Sequence, residues 1–488
     1  MTMDYLQVRG NQIVDSAGKT VRLRGASVGG WMNMEDFING HSGSEHMLRI
    51  TMGEALGERR ATFFFERLLA HFFNASDIHF MKTLGFSVIR LPLNYRHFEN
   101  DDNPFHYVEQ GFHQIDTVLD WCEREQIYVI LDLHAVQGWQ NVHWHSDNNA
   151  RQSLFWDHLQ FQDRFVGLWE EFARRYKNRA VVAGFNLMNE PCVGNPHGDF
   201  PWNIRDKYNP NWSKINKVYR RVVSAIRAID TKHIIFVEGD NYSRLFDGLD
   251  EPFSENMVYS SHNYTPAGFG PGRYPGYIKL RNREEEEFWD INKQEDEFFL
   301  HQGTQFCQRY NVPLWVGEFG SVYNGPRNEL ADRFRALKDQ IGIYEKFGAH
   351  WTLWTYKDVG IMGLVTVNPE SEYIQRLAEF FKTKYEMNTD DWMTWITPGD
   401  LKNNIHSVSD KMVQSVADLD VEANDNRQTL SQLVLANYSG ALLQRKFVRV
   451  FKGLNEVDID RVLSSFSFEK CVVNDQLTEV VRQAAISP

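Results

Sequence analysis

The feature that most constrains this chain is an alternation between short apolar runs and longer amphipathic stretches, repeated eight times. The runs are VRLRGASV from Val21, SVIRLPL from Ser87, YVILDLHA from Tyr128, VAGFNLMNEP from Val182, HIIFVEGD from His233, MVYSSHNY from Met257, PLWVGEFG from Pro313 and HWTLWTY from His350. Runs this rich in Val, Ile, Leu and aromatics read as parallel strands buried under crossover helices. The stretches between them carry apolar residues at helical spacing, as in Ile115, Val118, Leu119 and Cys122, or Val218, Val222 and Ile226. Eight strands with helices between them is the count that closes an α/β (β/α)8 TIM barrel.

Around that repeat the chain carries additions. QVRGNQIVDSAGKT, ahead of the first run, alternates and contains turn dipeptides, so it reads as a hairpin plugging the barrel floor. About 60 residues separate the first two runs, more than a usual loop and helix need. That excess, including NMEDFINGHSGSEHMLRI, is a candidate active-site wall. After about Lys384 the barrel pattern stops, which divides the chain into a barrel with its hairpin (1–384) and a helical C-terminal extension (385–488). In the extension, Ile405, Val408, Met412 and Val416 form an apolar face after a helix-start signal at Pro398, and Ile459, Val462, Leu463 and Phe466 form another after Asn455. LLQRKFVRVFKGL, from Leu442, is apolar enough to require a partner surface. Packing on the barrel would bury these faces, and so would self-association into a homo-oligomer.

A net charge of -13 argues against nucleic acid or an anionic membrane surface as partner, since both need clustered Lys and Arg. The acidic run Glu284 to Glu287 reads as a solvated helix face or loop. The N-terminus shows no basic segment followed by an apolar one, and no stretch reaches the length of a membrane span, so a cytoplasmic protein is expected. Cys122, Cys192, Cys307 and Cys471 lie far apart with no CxxC pairing, which fits free thiols.

In such a barrel, chemistry sits at the C-terminal ends of the strands. Here those ends are polar: Arg90, Asp132 and His134, Asn189 and Glu190, Glu238 and Asp240, His262 and Tyr264, Glu318, and Trp354. So many buried polar groups would burden a core unless they formed a site. Glu190 in FNLMNEP and Glu318 in LWVGEFG stand out, because each follows an apolar run with no basic neighbour in sequence. Double-displacement hydrolysis of a glycoside needs such a pair, one carboxylate to attack the anomeric carbon and one to protonate the departing oxygen.

NEP after the fourth run and the Glu of GEFG in the seventh resemble glycoside hydrolase family 5, over roughly residues 5–385. The resemblance implies that Glu190 is the acid/base and Glu318 the nucleophile. It extends to Arg90, His134, Asn189, His262 and Tyr264 in HNY, and Trp354 as substrate-site residues. Arg90 and Tyr264 would donate to the nucleophile, Asn189 would bond the sugar 2-OH, and Trp354 would offer a flat face to the ring. GGWMNME, Gly29 to Glu35, is similar to a stretch of exo-acting members in which the Glu binds the terminal sugar, which implies that role for Glu35.

HAVQGWQNVHWHSDNN, from His134, holds three His and an Asp but lacks HExxH spacing, so no metal is expected, and the reaction needs no cofactor. Its Gln140, Asn141, His145 and Asp147 read as a sugar-binding wall. The expected partner is therefore an oligosaccharide or glycoside. The long first insertion, NYRHFE and HSDN resemble a bacterial exo-β-mannosidase branch acting on disaccharides of the Manβ1,4GlcNAc type. A β-glucosidase or exo-β-glucanase remains the alternative, and a non-catalytic carbohydrate-binding barrel is the alternative from another class.

Overall fold

In a computed structural model, residues 3–194, 208–280, 285–389, 400–415 and 423–486 are described. All eight expected runs become strands of one closed parallel barrel. They are β1 (Arg24–Ser27), β2 (Val88–Asn94), β3 (Tyr128–Ala135), β4 (Val182–Asn186), β5 (Ile234–Glu238), β6 (Met257–His262), β7 (Leu314–Glu318) and β8 (His350–Leu353). Every residue of β2 is buried, as a strand covered on both faces requires. The ring closes where Trp351, Thr352 and Leu353 of β8 pair with Arg24, Gly25 and Ala26 of β1.

Inside the barrel the lower layer is apolar. Leu6 and Ile13 of the N-terminal segment pack with Leu23, Val88, Ile130, Ala183, Ile234, Phe236, Val258 and Trp315. The hairpin that brings them there pairs Gln7–Arg9 with Gln12–Val14. With the floor filled, the polar strand ends are left at the opposite mouth.

The long β1–β2 connection folds into helices Glu45–Leu56, Glu58–Phe72 and Ala75–Thr83. Helix Glu58–Phe72 buries Ala61, Phe64, Phe65, Leu68, Leu69 and Phe72 along one face, a broader stripe than a barrel helix needs. The C-terminal helices Gly440–Arg449 and Glu456–Leu463 cover the surplus, with Phe451 4.9 Å from Phe64 and Phe466 5.6 Å from Phe72, ring to ring. Leu443, Phe447, Ile459, Val462, Leu463 and Phe466 thereby join the main core. Lys357, buried after β8, ties the layers by donating to Phe72 O at 2.7 Å and Phe466 O at 2.8 Å beside Asp77 at 2.6 Å.

Three expectations change. The C-terminal extension is not wholly helical, because Cys471–Val473 pairs antiparallel with Val365–Val367. In helix Asp400–Gln414 only Ile405 of the expected face is buried, while Val408 and Met412 are exposed; Pro398 and Val416 lie outside the described residues. Glu286–Trp289 forms a hairpin strand with Gly276–Lys279 rather than a helix face or loop, and Glu284 lies outside the described residues. Among the described residues no helix is long and apolar enough to cross a membrane. All four cysteines are free thiols.

Candidate active site

Strand register brings the polar ends together. Between Ser261 and His262 the β6–β7 pairing slips by one residue, which sets His262 opposite Glu318. A bulge of this kind re-aims a side chain at a barrel rim. Arg90, fully buried on β2, donates from Nη1 to Glu318 Oε1 at 2.5 Å and from Nη2 to Asn189 Oδ1 at 2.6 Å. Burial opposes its charge, but Asp132, Glu318 and Glu238 around it more than compensate and hold the guanidinium firmly protonated. Tyr264 donates to the other Glu318 oxygen at 2.9 Å. Burial and the charge of Glu318 push that phenol well above its ordinary range, so it remains a donor.

Glu190 lies just beyond β4, with φ 47° in the left-handed region. Its carboxylate is gripped at both oxygens, by His262 Nδ1 at 2.7 Å and His145 Nε2 at 3.1 Å. Burial raises this carboxyl, yet the two imidazole hydrogen bonds prevail and hold it well below the usual carboxylate range. His262 moves the opposite way: burial lowers it, and Glu318, Glu238 and Glu190 together hold it well above an ordinary histidine. In the resting site the proton of the Glu190–His262 pair therefore rests on the ring, one hydrogen bond from Glu190. A carboxylate oxygen of Glu190, one of Glu318 and a ring nitrogen of His262 all lie within 4.8 Å of one another. Such spacing could also hold a cation, and it is close to the separation double displacement uses.

The remaining strand ends form a second layer. His134 Nδ1 sits 2.8 Å from Asp132 Oδ2, and burial with the Arg90 charge keeps the ring neutral. With that proton on Nδ1, Nε2 accepts from Asn189 Nδ2 at 3.2 Å, leaving the second Asn189 amide hydrogen for a ligand. Trp354 lies parallel to the His134 ring at 5.3 Å. Glu35, from the β1–β2 insertion, approaches His134 Nε2 at 3.4 Å. Burial, then the charges of Glu318, Asp36 and Glu190, raise its carboxyl well above the usual range, so it carries a proton to donate.

The β3 loop is a wall, but its amides face protein. Gln140 Nε2 donates to His134 O at 2.7 Å and Asn189 O at 2.8 Å, and Asn141 Nδ2 donates to Glu190 O at 3.0 Å. Asp147 accepts from His46 N at 2.7 Å and Arg96 Nε at 3.0 Å. Through these contacts all three brace the mouth, as buried polar atoms require. His145, on the same loop, does reach Glu190. The sequence reading gave no role to Glu238, which is wholly buried and touches Arg90, His262 and the Glu190 backbone. Its signal was available: an acid directly after the apolar run IIFV.

This geometry provides a carboxylate held by Arg90 and Tyr264, facing a second carboxyl group with a proton at hand. A family model described as cellulase (glycosyl hydrolase family 5) matches residues 63–360. A beta-xylosidase of Phanerodontia chrysosporium is 34% identical over 99% of this chain and 98% of its own. Endoglucanase C of Acetivibrio thermocellus is 27% identical over 59% of this chain and 84% of its own. The solved structure of an endogalactoceramidase shares the fold with a TM-score of 0.52, at 20% identity over 73% of this chain and 75% of that one. This protein is a retaining glycoside hydrolase, and its chain belongs to glycosyl hydrolase family 5.

Proposed function

We propose that this enzyme is an exo-acting β-glycosidase that removes a terminal xylose or glucose unit from short glycosides, with Glu318 as nucleophile and Glu190 as acid/base. The observation that carries the exo reading is Glu35, a protonated donor brought into the site by an insertion that the C-terminal helices hold in place. A group so placed beside His134 and Asn189 binds hydroxyls of the sugar that undergoes cleavage and limits the room beyond it. Full-length similarity to the beta-xylosidase supports a single-sugar product, and relatives named as glucan 1,3-beta-glucosidases support glucose as the second glycone.

A mannoside is the second reading, resting on the insertion and on NYRHFE and HSDN. In those segments Arg96 and Asp147 pair with each other and His145 faces Glu190. None of the three contacts Glu35, Asn189 or Trp354, so they favour the wall architecture more than the axial 2-OH that distinguishes mannose. In the resting enzyme His262 holds the proton of its pair; as Glu318 attacks the anomeric carbon the proton passes through Glu190 to the departing oxygen, and once Glu318 is a neutral ester Glu190 takes a proton from the attacking water.

A screen of aryl β-xyloside, β-glucoside and β-mannoside tests the assignment. Xyloside or glucoside should exceed mannoside in kcat/KM by about tenfold or more, the scale of one well-placed hydrogen bond. A preference for the mannoside would establish the second reading, and release of oligosaccharides from the interior of a β-glucan would remove exo action.

A further inference from the structure

Four non-glycine residues in the left-handed backbone region meet at one point of the mouth: Glu190 (φ 47°), Asn241 (φ 52°), Tyr242 (φ 60°) and Ser243 (φ 59°). Each costs on the order of 1 kcal/mol, so the conformation persists only where its surroundings enforce it. Glu238 holds two of the four, Glu190 and Ser243. Its Oε2 accepts the Glu190 backbone N–H at 2.8 Å and the Ser243 hydroxyl. The β5 loop is latched to the same place, since Tyr242 N donates to Pro191 O at 3.2 Å. Oε1 of Glu238 faces His262 Nε2 and Arg90 Nη2, each at 3.5 Å.

We propose that Glu238 is the positioning residue for proton delivery: it fixes the backbone that aims Glu190 and holds the His262 ring with Nδ1 toward the Glu190 carboxylate. The inference rests on the reading of Glu190 as acid/base. His262 is faced by Glu190 from beyond β4, Glu238 from β5 and Glu318 from β7, with Arg90, Asp132, His134 and His301 farther out. Of the three near carboxylates, only Glu238 has no part in bond making, so it can hold the ring in the same place throughout the cycle. Its firm contact is with Glu190, at 2.8 Å, and its longer one is with Arg90, which holds the nucleophile. The acid/base half of the reaction should therefore feel its loss first.

Glu238→Gln keeps the size but places an amide against His262 and Arg90, or loses the acceptor for Glu190 N–H. Ser243→Ala leaves Glu238 in place and removes one of its anchors. Each variant is assayed on a dinitrophenyl glycoside, whose leaving group departs without a proton, and on an alkyl glycoside, whose leaving group needs one. Under the proposal, kcat/KM for the alkyl glycoside falls about 10- to 100-fold in Glu238→Gln and several-fold in Ser243→Ala, while the dinitrophenyl value stays within about threefold. Equal losses on both substrates, or no loss on either, overturn it; should Glu238→Gln not fold, Ser243→Ala decides alone. Glu190→Ala is the control: if that variant shows no leaving-group selectivity, the acid/base reading fails, whereas selectivity there without selectivity in the other two refutes the positioning role alone.

Discussion

Glu190 and Glu318 are both buried carboxyl groups at the barrel mouth, and their partners set them apart. Glu318 receives two donors that never change, a guanidinium and a phenol. Glu190 receives two imidazoles, groups that can exchange a proton with it. Removing each should thus give different signatures. Glu318→Ala is expected to lower kcat by at least about 10⁴-fold on every substrate, with the proton-independent dinitrophenyl glycoside no exception. Glu190→Ala should lose on the order of 10² to 10⁴-fold on alkyl glycosides yet still form the glycosyl-enzyme from the dinitrophenyl substrate, with azide accelerating turnover to a β-glycosyl azide. An α-azide from Glu190→Ala would exchange the two roles. These two residues were legible because each directly follows an apolar run. Glu238 follows one too, but its part depends on which strand ends approach Arg90 and His262, and residue order carries no such distance. The bracing contacts of Gln140 and Asn141 were hidden for a related reason: composition reports hydrogen-bonding capacity, and only packing tells which capacity is already spent.

At the scale of elements, the barrel strands were legible because burial on both faces leaves near-continuous apolar runs, a signal that survives without neighbours. The strand Cys471–Val473 was not. It is three residues long, half-buried and short of any measurable period, and it exists because Val365–Val367 offers an edge. The broad apolar face of Glu58–Phe72 and the apolar C-terminal helices were each readable, but their pairing joins residues almost four hundred positions apart. We propose that residues 440–486 complete the barrel rather than form an independent unit. A chain ended after Tyr385 would uncover Phe64, Phe72 and Tyr373, whose rings now meet Phe451 and Phe466. Each exposed ring costs about 1.5 to 3 kcal/mol of burial, so the truncation exceeds a typical domain stability when the aliphatic contacts are added. It should yield aggregated or unfolded protein by size-exclusion chromatography and circular dichroism. A monomeric, cooperatively melting and active truncation would show that the extension serves assembly instead.

For the whole molecule, stability against acid draws on buried groups both within and beyond the site. His41, His301 and His350 are buried and held neutral, each lowered to about 3 by burial. Geometry agrees at two of them: Leu23 N donates into His350 Nδ1 at 3.0 Å and Gly303 N into His301 Nδ1 at 3.1 Å, so neither nitrogen carries a proton. Below pH about 6.5 the unfolded chain protonates these rings while the folded one does not, and each histidine removes about 1.4 kcal/mol of stability per pH unit lost. Two acids oppose the trend. Burial pushes Asp147 and Asp240 up to about 6, so between there and their ordinary range near 4 the folded state binds the extra protons and gains stability as pH falls. The sum over the molecule depends on every such group, so the share of one ring is read one residue at a time. His350→Gln isolates one term. The variant forfeits packing at every pH, but the gap between it and the parent should narrow by about 2 kcal/mol between pH 7 and 5, because the parent alone pays for a neutral ring there. A gap that stays constant over that range would mean His350 protonates in the folded barrel, at odds with the Leu23 amide pointed at its Nδ1.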